Sequence, residues 1–458
     1  MTSSSFRVNG REYAASPDPV VVICIDGSEP DYHVQAMHAG QMPWLTSVID
    51  NRLSSWPAHC AMPALTNPNN ISIATGRPPR DHGISGNYIY EPSTGTEVLM
   101  NDKRFLRVPT LFAAAAEAGL DVAVVTAKNK LRQLIGAGLV EPGPRLDGGP
   151  GTESPTHRGI CFSAEQADRA TVAENGLGDV LEFVGLPLPD VYSADLSEFV
   201  LAAGVRLLEQ RRPDLMYLSL TDYIQHKHAP GSPTANAFYA MIDGYASRFD
   251  ALGAVVVITA DHGMSPKSQA DGTPRVIFIE EETERILRAA AEPTDGLRVI
   301  LPITDPYTVH HGALGSFASV YLPDGVATDR VAAALAELDG VQEVLDRETA
   351  AQRYELPADR IGDLVVLAGK TTALGRFAAW HDLGQLDAPL RSHGALGERD
   401  IPFFVNRPVP APDLVTKSEG GPASEGDTAR VHNYDAFWVA TTWLAQHRSE
   451  LATAAATG

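Results

Sequence analysis

Val20 to Ile25 reads VVVICI, apolar at every position, which is the pattern of a strand covered on both faces inside a parallel sheet. It breaks into Asp26-Gly27. Met42 to Val48 predicts the helix that follows, with Pro43 near its start. Pro109 to Ala118 is Ala-rich and stops at Gly119, a helix with a glycine end. Asp121 to Thr126, DVAVVT, is a second buried strand, and Leu139 to Pro189, rich in Gly and Pro, reads as irregular excursions. Then come an amphipathic helix from Asp195 to Gln210, a strand from Asp214 to Leu220, a helix from Pro233 to Phe249 and a strand, AVVVIT, from Ala254 to Thr259. This alternation predicts an α/β fold, a mostly parallel central sheet flanked by helices.

From about residue 271 the texture changes. Strands are expected at Arg275–Ile279, Leu297–Leu301, Ala318–Leu322, Val341–Leu345 and Leu364–Leu367, with helices at Glu282–Ala291 and Asp329–Leu338. The division that follows is a catalytic α/β core of residues 1–270 and 386–458, interrupted by a smaller α+β cap insertion of residues 271–385. The core resumes near Ser392, with a strand at Pro402–Val405 and a last helix at Asn433–Gln446. Lys417–Thr428 is polar and Gly-rich and is expected to be a mobile loop. There is no internal repeat.

A chain of 458 residues is too long for one ordinary domain, in keeping with that division. Its net charge of -21 disfavours nucleic acid and anionic membrane surfaces as partners. An anionic substrate would then need local positive charge from metal, lysine or helix ends. Three cysteines, Cys24, Cys60 and Cys161, at irregular spacing read as buried thiols in a reducing compartment. With no signal-peptide core and no apolar run long enough to span a membrane, a cytoplasmic protein is expected.

The candidate chemistry lies where the strands end. Asp26 follows the first strand; Asp222 and His226, in TDYIQHKH, follow the third; Asp261 and His262, in TADHG, follow the fourth; His393 lies in SHGALGE. In open α/β sheets the crevice beyond the strand C-termini binds ligands. Asp and His suit zinc or a similar divalent ion, and a spacing of four lets Asp222 and His226 meet one metal if the segment is helical. Taken singly, an Asp after a strand is commonly a helix cap, and a lone His is commonly structural. The joint occurrence is more specific. A further stretch, Ala64 to Gly76, reads as a loop entering a short helix, with Thr66 or Asn67 as cap, Pro68 in the first turn and Gly76 as the stop. Thr66 then sits at the positive end of a helix, a place suited to phosphate.

In this order these motifs resemble the alkaline phosphatase superfamily in its nucleotide pyrophosphatase/phosphodiesterase-like branch, and within it the phosphonoacetate hydrolase family, over most of the chain from Val20 to about Phe403. The resemblance implies an alkaline phosphatase-like core and two divalent ions per chain, zinc by preference, with manganese or iron as alternatives. One ion would be held by Asp222, His226 and His393, the other by Asp26, Thr66, Asp261 and His262. Thr66 would be the nucleophile, and Asn87, in SGNYIY, would donate to a non-bridging oxygen; both, with His393, would touch substrate. The reaction implied is cleavage of the carbon–phosphorus bond of phosphonoacetate to acetate and phosphate. His228, His82, His310 and His311 take no ligand role, and His59 and His381 stand behind the site at best.

Lys128 and Lys130 follow the strand DVAVVT, two apart, so in an extended or loop conformation both face one side. Two ammonium groups together call for an anion between them. The resemblance makes that anion the substrate carboxylate. Three other readings remain. One is a nucleotide pyrophosphatase/phosphodiesterase of the same superfamily. Another is a phosphoglycerate mutase-like enzyme, which normally uses Ser where this chain has Thr66. The last is a metal-binding protein with a decayed site. The sequence is compatible with a homodimer.

Overall fold

The computed structural model describes residues 5–49, 54–140, 159–303, 314–386, 388–412 and 431–447. Five parallel strands carry the core: β1 (Val20–Cys24), β2 (Val122–Thr126), β3 (Gly159–Ser163), β4 (Leu215–Ser219) and β5 (Val255–Thr259). The stretch expected from the sequence to be an insertion supplies β6 (Arg298–Ile300), β7 (Phe317–Tyr321), β8 (Val341–Asp346) and β9 (Leu364–Ala368). Then β10 (Phe404–Val405) returns antiparallel to β5, with Ser54–Ser55 on its outer side. Across the central sheet the order is Ser54–Ser55, β10, β5, β1, β4, β2, β3. The unbroken apolar run of β1 is explained by its place in the middle. Val20, Val22 and Cys24 enter one core, and Val21, Ile23 and the following Ile25 enter the other.

Helices cover both faces. On one side lie α1 (Pro30–His38), α4 (Asp195–Gln210) and α6 (Pro233–Ala251). On the other lie α2 (Thr66–Thr75), α3 (Asn129–Ile135) and Leu111–Glu117. A short helix, α5 (Tyr223–Lys227), follows β4. The expected elements fall within a few residues of those observed, with two differences. Leu139–Pro189 is not all irregular: it holds β3, the sheet's edge strand, whose sequence GICFS is short and carries little β-branched signal. Asn433–Gln446 is not one regular helix, since a 3₁₀ turn at Asn433–Asp435 leads into a π-helical turn at Val439–Trp443. The expected mobile loop Lys417–Thr428 lies outside the described residues, as do His310 and His311.

In the insertion β6, β7, β9 and β8 form an antiparallel sheet in that order, with Ile279–Ala289 and Thr328–Ala336 packed on a separate core. The expected strand Arg275–Ile279 is shorter, Val276–Phe278, and pairs outside that sheet with Ala373–Gly375. The insertion meets the core where the candidate residues lie. Asn87 N–H donates to the Pro302 carbonyl at 2.8 Å, and Ser316 N–H to the His393 carbonyl at 2.9 Å. Among the described residues no helix is long and apolar enough to cross a membrane.

One core residue runs against its surroundings. His33 on α1 is fully buried between Tyr239 and Phe404, and neither ring nitrogen has a hydrogen-bond partner. Burial lowers its pKa to about 3. The unfolded chain therefore takes up this proton first, and stability is lost as pH falls from about 6.5 towards 3. His33→Leu is expected to add about 1–3 kcal/mol at neutral pH. It should also flatten the acid limb. Denaturant unfolding at pH 7 and pH 5 checks both, and an unchanged pH dependence would count against this account.

Candidate metal centre and active site

The ladder register explains how one sheet edge collects the chemistry. Thr126, Ser219, Cys24 and Thr259 are paired in one row across β2, β4, β1 and β5. Lys128, Asp26 and Asp261 each stand two residues beyond that row, and Asp222 three beyond. With strands about 4.8 Å apart, the four chain ends span about 15 Å along the edge.

Two clusters form there. Asp222, His226 and His393 have ligand atoms within 4.8 Å of one another, and so do Asp26, Asp261 and His262; all six residues are buried. The expected helical spacing holds, with Asp222 at the cap of α5 and His226 one turn on, its Nε2 at 2.8 Å from Asp222 Oδ2. The clusters touch through stacked imidazoles, His262 on His393, at 3.6 Å between ring centres. In each of the three rings Nδ1 faces a backbone carbonyl: Arg391 for His226 at 3.0 Å, Gly263 for His262 at 2.9 Å, Ala64 for His393 at 2.8 Å. Placing the proton on Nδ1 leaves every Nε2 as a lone pair. His226 Nε2 and Asp222 Oδ2 then meet as two acceptors, and His262 Nε2 meets Asp26 Oδ1 at 3.3 Å in the same way. Such pairs need a cation. Three buried carboxylates and three oriented imidazoles fit divalent metal.

The electrostatics agree. Burial, with Asp222 nearby, pushes Asp261 up to about 7, although it accepts from the N–H groups of Gly27 and His262 at 3.2 and 3.0 Å. Burial, with His262 and His226 adjacent, holds His393 well below the usual imidazole range. Without a cation Asp261 resists losing its proton and His393 resists gaining one. A divalent ion would relieve the first and use the neutral form of the second.

Thr66 departs from its expected capping role. It is the first residue of α2, and Leu65, in extended conformation, holds the cap position with no side-chain bond. Thr66 Oγ1 turns instead to His262 Nε2 at 3.2 Å. Pro68 brings no N–H to the first turn and the Asn67 N–H goes to Asn87 Oδ1, so the donor left facing an anion there is the Thr66 N–H. Pro68 is in that turn, and Gly76 ends the helix at φ 66°, as expected. Asn87 is buried, and its Oδ1 accepts from Asn67 N–H at 3.4 Å, which brings its amide beside Thr66.

Residues that sequence reasoning passed over hold this arrangement together. Asn70 donates to Asp261 Oδ2 at 2.9 Å and to the Thr66 carbonyl at 3.0 Å, and it accepts from Tyr217 and Ser219. Asn69 gathers the carbonyls of Ala61, Pro63 and Leu65, fixing the loop before Thr66. Two adjacent Asn in the apolar run NPNNISIA were the available signal, since a buried amide must find partners. Arg391 is buried too, bound to the carbonyls of Gln225 and Met264, so its own carbonyl can orient His226.

The two lysines do not share an extended run. Lys128 is extended and caps α3, whereas Lys130 is inside that helix. Lys128 is half-buried with Nζ at 3.5 Å from the Val191 carbonyl; Lys130 is exposed. His59 lies 3.1 Å from Asp400, and His381 accepts from Arg376 N–H within the insertion. His82 fixes α2 through Ser72 at 2.9 Å.

Two crystal structures of phosphonoacetate hydrolase from Sinorhizobium meliloti 1021, one in complex with phosphonoformate and one with phosphonoacetate, are 50% identical to this chain. The match covers 97% of this chain and 100% of that one, with a TM-score of 0.84. Murine ectonucleotide pyrophosphatase/phosphodiesterase 5 is 18% identical over 86% of this chain and 89% of its own, with a TM-score of 0.55, a likeness of fold alone. An uncharacterized pyrophosphatase/phosphodiesterase of Schizosaccharomyces pombe is 23% identical over 300 residues, 63% of this chain, and the match spans about half of that protein's length (53%). The type I phosphodiesterase / nucleotide pyrophosphatase family matches residues 20–395, so the strand-end Asp and His residues and Thr66 all fall inside the match. The chain belongs to that family.

Proposed function

We propose that this chain hydrolyses the carbon–phosphorus bond of phosphonoacetate to acetate and phosphate, with Thr66 as nucleophile. The observation that carries the reading is Thr66 Oγ1 beside His262, where two buried acid–imidazole clusters meet at the start of α2. The substrate comes from the 50% identity, along nearly the whole chain, to a phosphonoacetate hydrolase crystallised with phosphonoacetate.

Asp222, His226 and His393 would hold one divalent ion, and Asp26, Asp261, His262 and Thr66 the other. Bound there, two cations, zinc being the choice best matched to Asp and His donors, would favour the ionised hydroxyl and offset the charge of the phosphonyl group. The chain's own groups do the rest. Thr66 Oγ attacks phosphorus, and the carbon–phosphorus bonding pair leaves with the carboxymethyl carbon, which takes a proton to become acetate. Water then cleaves the phosphothreonine, releasing phosphate and restoring Thr66. Asn87 and the Thr66 N–H at the start of α2 donate to the non-bridging oxygens. His393, stacked on His262, would touch the substrate, and Lys128 and Lys130 would grip its carboxylate, where charge grows as the bond breaks. The insertion, meeting Asn87 and His393 at Pro302 and Ser316, acts as a cap that excludes water. Buried thiols at Cys24, Cys60 and Cys161 fit a cytoplasmic setting.

The lysine clamp decides the substrate and is directly testable. Lys128→Ala is expected to lower kcat/KM for phosphonoacetate by about 10- to 100-fold, the worth of a charge-assisted contact, largely through KM. Lys130→Ala, more exposed, should lose less. Hydrolysis of an aryl phosphodiester, which has no carboxylate, should be little affected. If both variants keep the parental kcat/KM on phosphonoacetate, the clamp is wrong and a phosphodiesterase takes its place.

A further inference from the structure

We infer that the buried ion pair Lys267–Glu398 is a positioning device that sets the spacing of the two acid–imidazole clusters; the inference rests on the metal reading of the site given above. Lys267 Nζ lies 2.8 Å from Glu398 Oε1, and both side chains are completely excluded from solvent. Each partner touches a different piece of the site. The Glu398 carbonyl accepts from Gly263 N–H at 2.7 Å, directly after His262. Its Oε2 accepts from Ala395 N–H at 3.2 Å, two residues after His393. Lys267 Nζ also donates to the Lys370 carbonyl at 2.9 Å, which belongs to the insertion, and Lys267 N–H donates to the Leu390 carbonyl at 2.8 Å. Just inside Lys267, Ser265 pairs with Ser392, the neighbour of His393. One ion pair therefore ties the loop bearing His262, the loop bearing His393 and the insertion.

A fully buried ion pair is a poor source of stability, because desolvating two charges offsets most of their attraction, and an apolar pair of similar volume usually does as well. What an apolar pair lacks is direction. Here the charged groups make two further directed bonds, from Lys267 Nζ to the Lys370 carbonyl and from Ala395 N–H to Glu398 Oε2, beside the joint where His262 stacks on His393. The two imidazoles serve different clusters, so a shift at this joint changes both cation positions and their separation.

The test uses the full chain, stripped of metal and titrated with zinc by calorimetry. The parent is expected to bind two ions. The double variant Lys267→Met/Glu398→Gln removes both charges at nearly constant volume, and the amide keeps an acceptor for Ala395. It is expected to melt, metal-free, at or above the parental temperature, while zinc binds about 10- to 100-fold more weakly. At saturating zinc, kcat should fall about tenfold with KM for phosphonoacetate unchanged. Parental zinc affinity and kcat in the folded variant would make the pair merely structural and overturn the inference. A parent that binds no divalent ion would overturn the metal reading itself. Should the double variant not fold, Glu398→Gln alone carries the zinc-affinity and kcat comparison, with a lower melting temperature expected because one partner of a buried pair loses its charge.

Discussion

Thr66→Ala should lose about three to six orders of magnitude in kcat, the range found when a catalytic nucleophile is deleted from an intact site. The loss should be chemical and not structural. Thr66 makes no capping bond to its own helix; its hydroxyl meets His262 at 3.2 Å, and its backbone carbonyl, which the variant keeps, still anchors Asn70. The metal-free variant should therefore unfold within about 0.5–1.5 kcal/mol of the metal-free parent, the range from a surface change to the loss of one hydrogen bond. Thr66→Ser keeps the hydroxyl and loses a methyl, so it should stay within about a hundredfold of the parent, the cost of slight misplacement. Rapid quenching of a parental turnover in acid, followed by mass spectrometry, should find one phosphoryl group on the peptide containing Thr66. An alanine variant with near-parental turnover would rule out the covalent route.

Removing metal should have an effect of similar size. Chelation is expected to abolish hydrolysis, and zinc, manganese or ferrous iron should each restore some of it. Stability should fall as well. Asp26, Asp222 and Asp261 are buried close together, and Asp261 is already pushed up by burial. A cation present at a hundred times its dissociation constant adds about 2.7 kcal/mol to the folded state. The metal-loaded chain should therefore melt several degrees above the stripped one. A fully active preparation that contains no divalent ion by elemental analysis would contradict the reading.

The parts of the site that could be read from the chain are those that a strand delivers. Asp26, Asp222 and Asp261 each follow a continuous apolar run, and the parallel register carries them to one edge. The Asp222–His226 pair was legible because a helix repeats every 3.6 residues. His393 and Thr66 were harder, since neither follows a strand of the main sheet, and their placement leaned on the order of the motifs. What stayed hidden depends on contacts across hundreds of residues. Asn70 meets Asp261, Arg391 turns its carbonyl to His226, and Glu398 spans Lys267 and Gly263. Each looks like an ordinary polar residue until the fold buries it. The central strands were plain because they are apolar at nearly every position up to their last residue; edge strand β3 was missed because Gly159 and Ser163 at its ends read as loop. Lys128 and Lys130 show the limit of local geometry: a two-residue spacing puts both on one side only if the chain stays extended, and α3 begins between them.

Cleavage of a carbon–phosphorus bond next to a carboxylate is the reaction proposed for this site. It is tested most directly by following phosphate release, with ³¹P NMR, from phosphonoacetate, phosphonopyruvate, phosphonoacetaldehyde and an aryl phosphodiester, each offered to the zinc-loaded chain. The account predicts equimolar acetate and phosphate from phosphonoacetate at the highest kcat/KM of the four. Rapid diester hydrolysis with no phosphate from phosphonoacetate would contradict it.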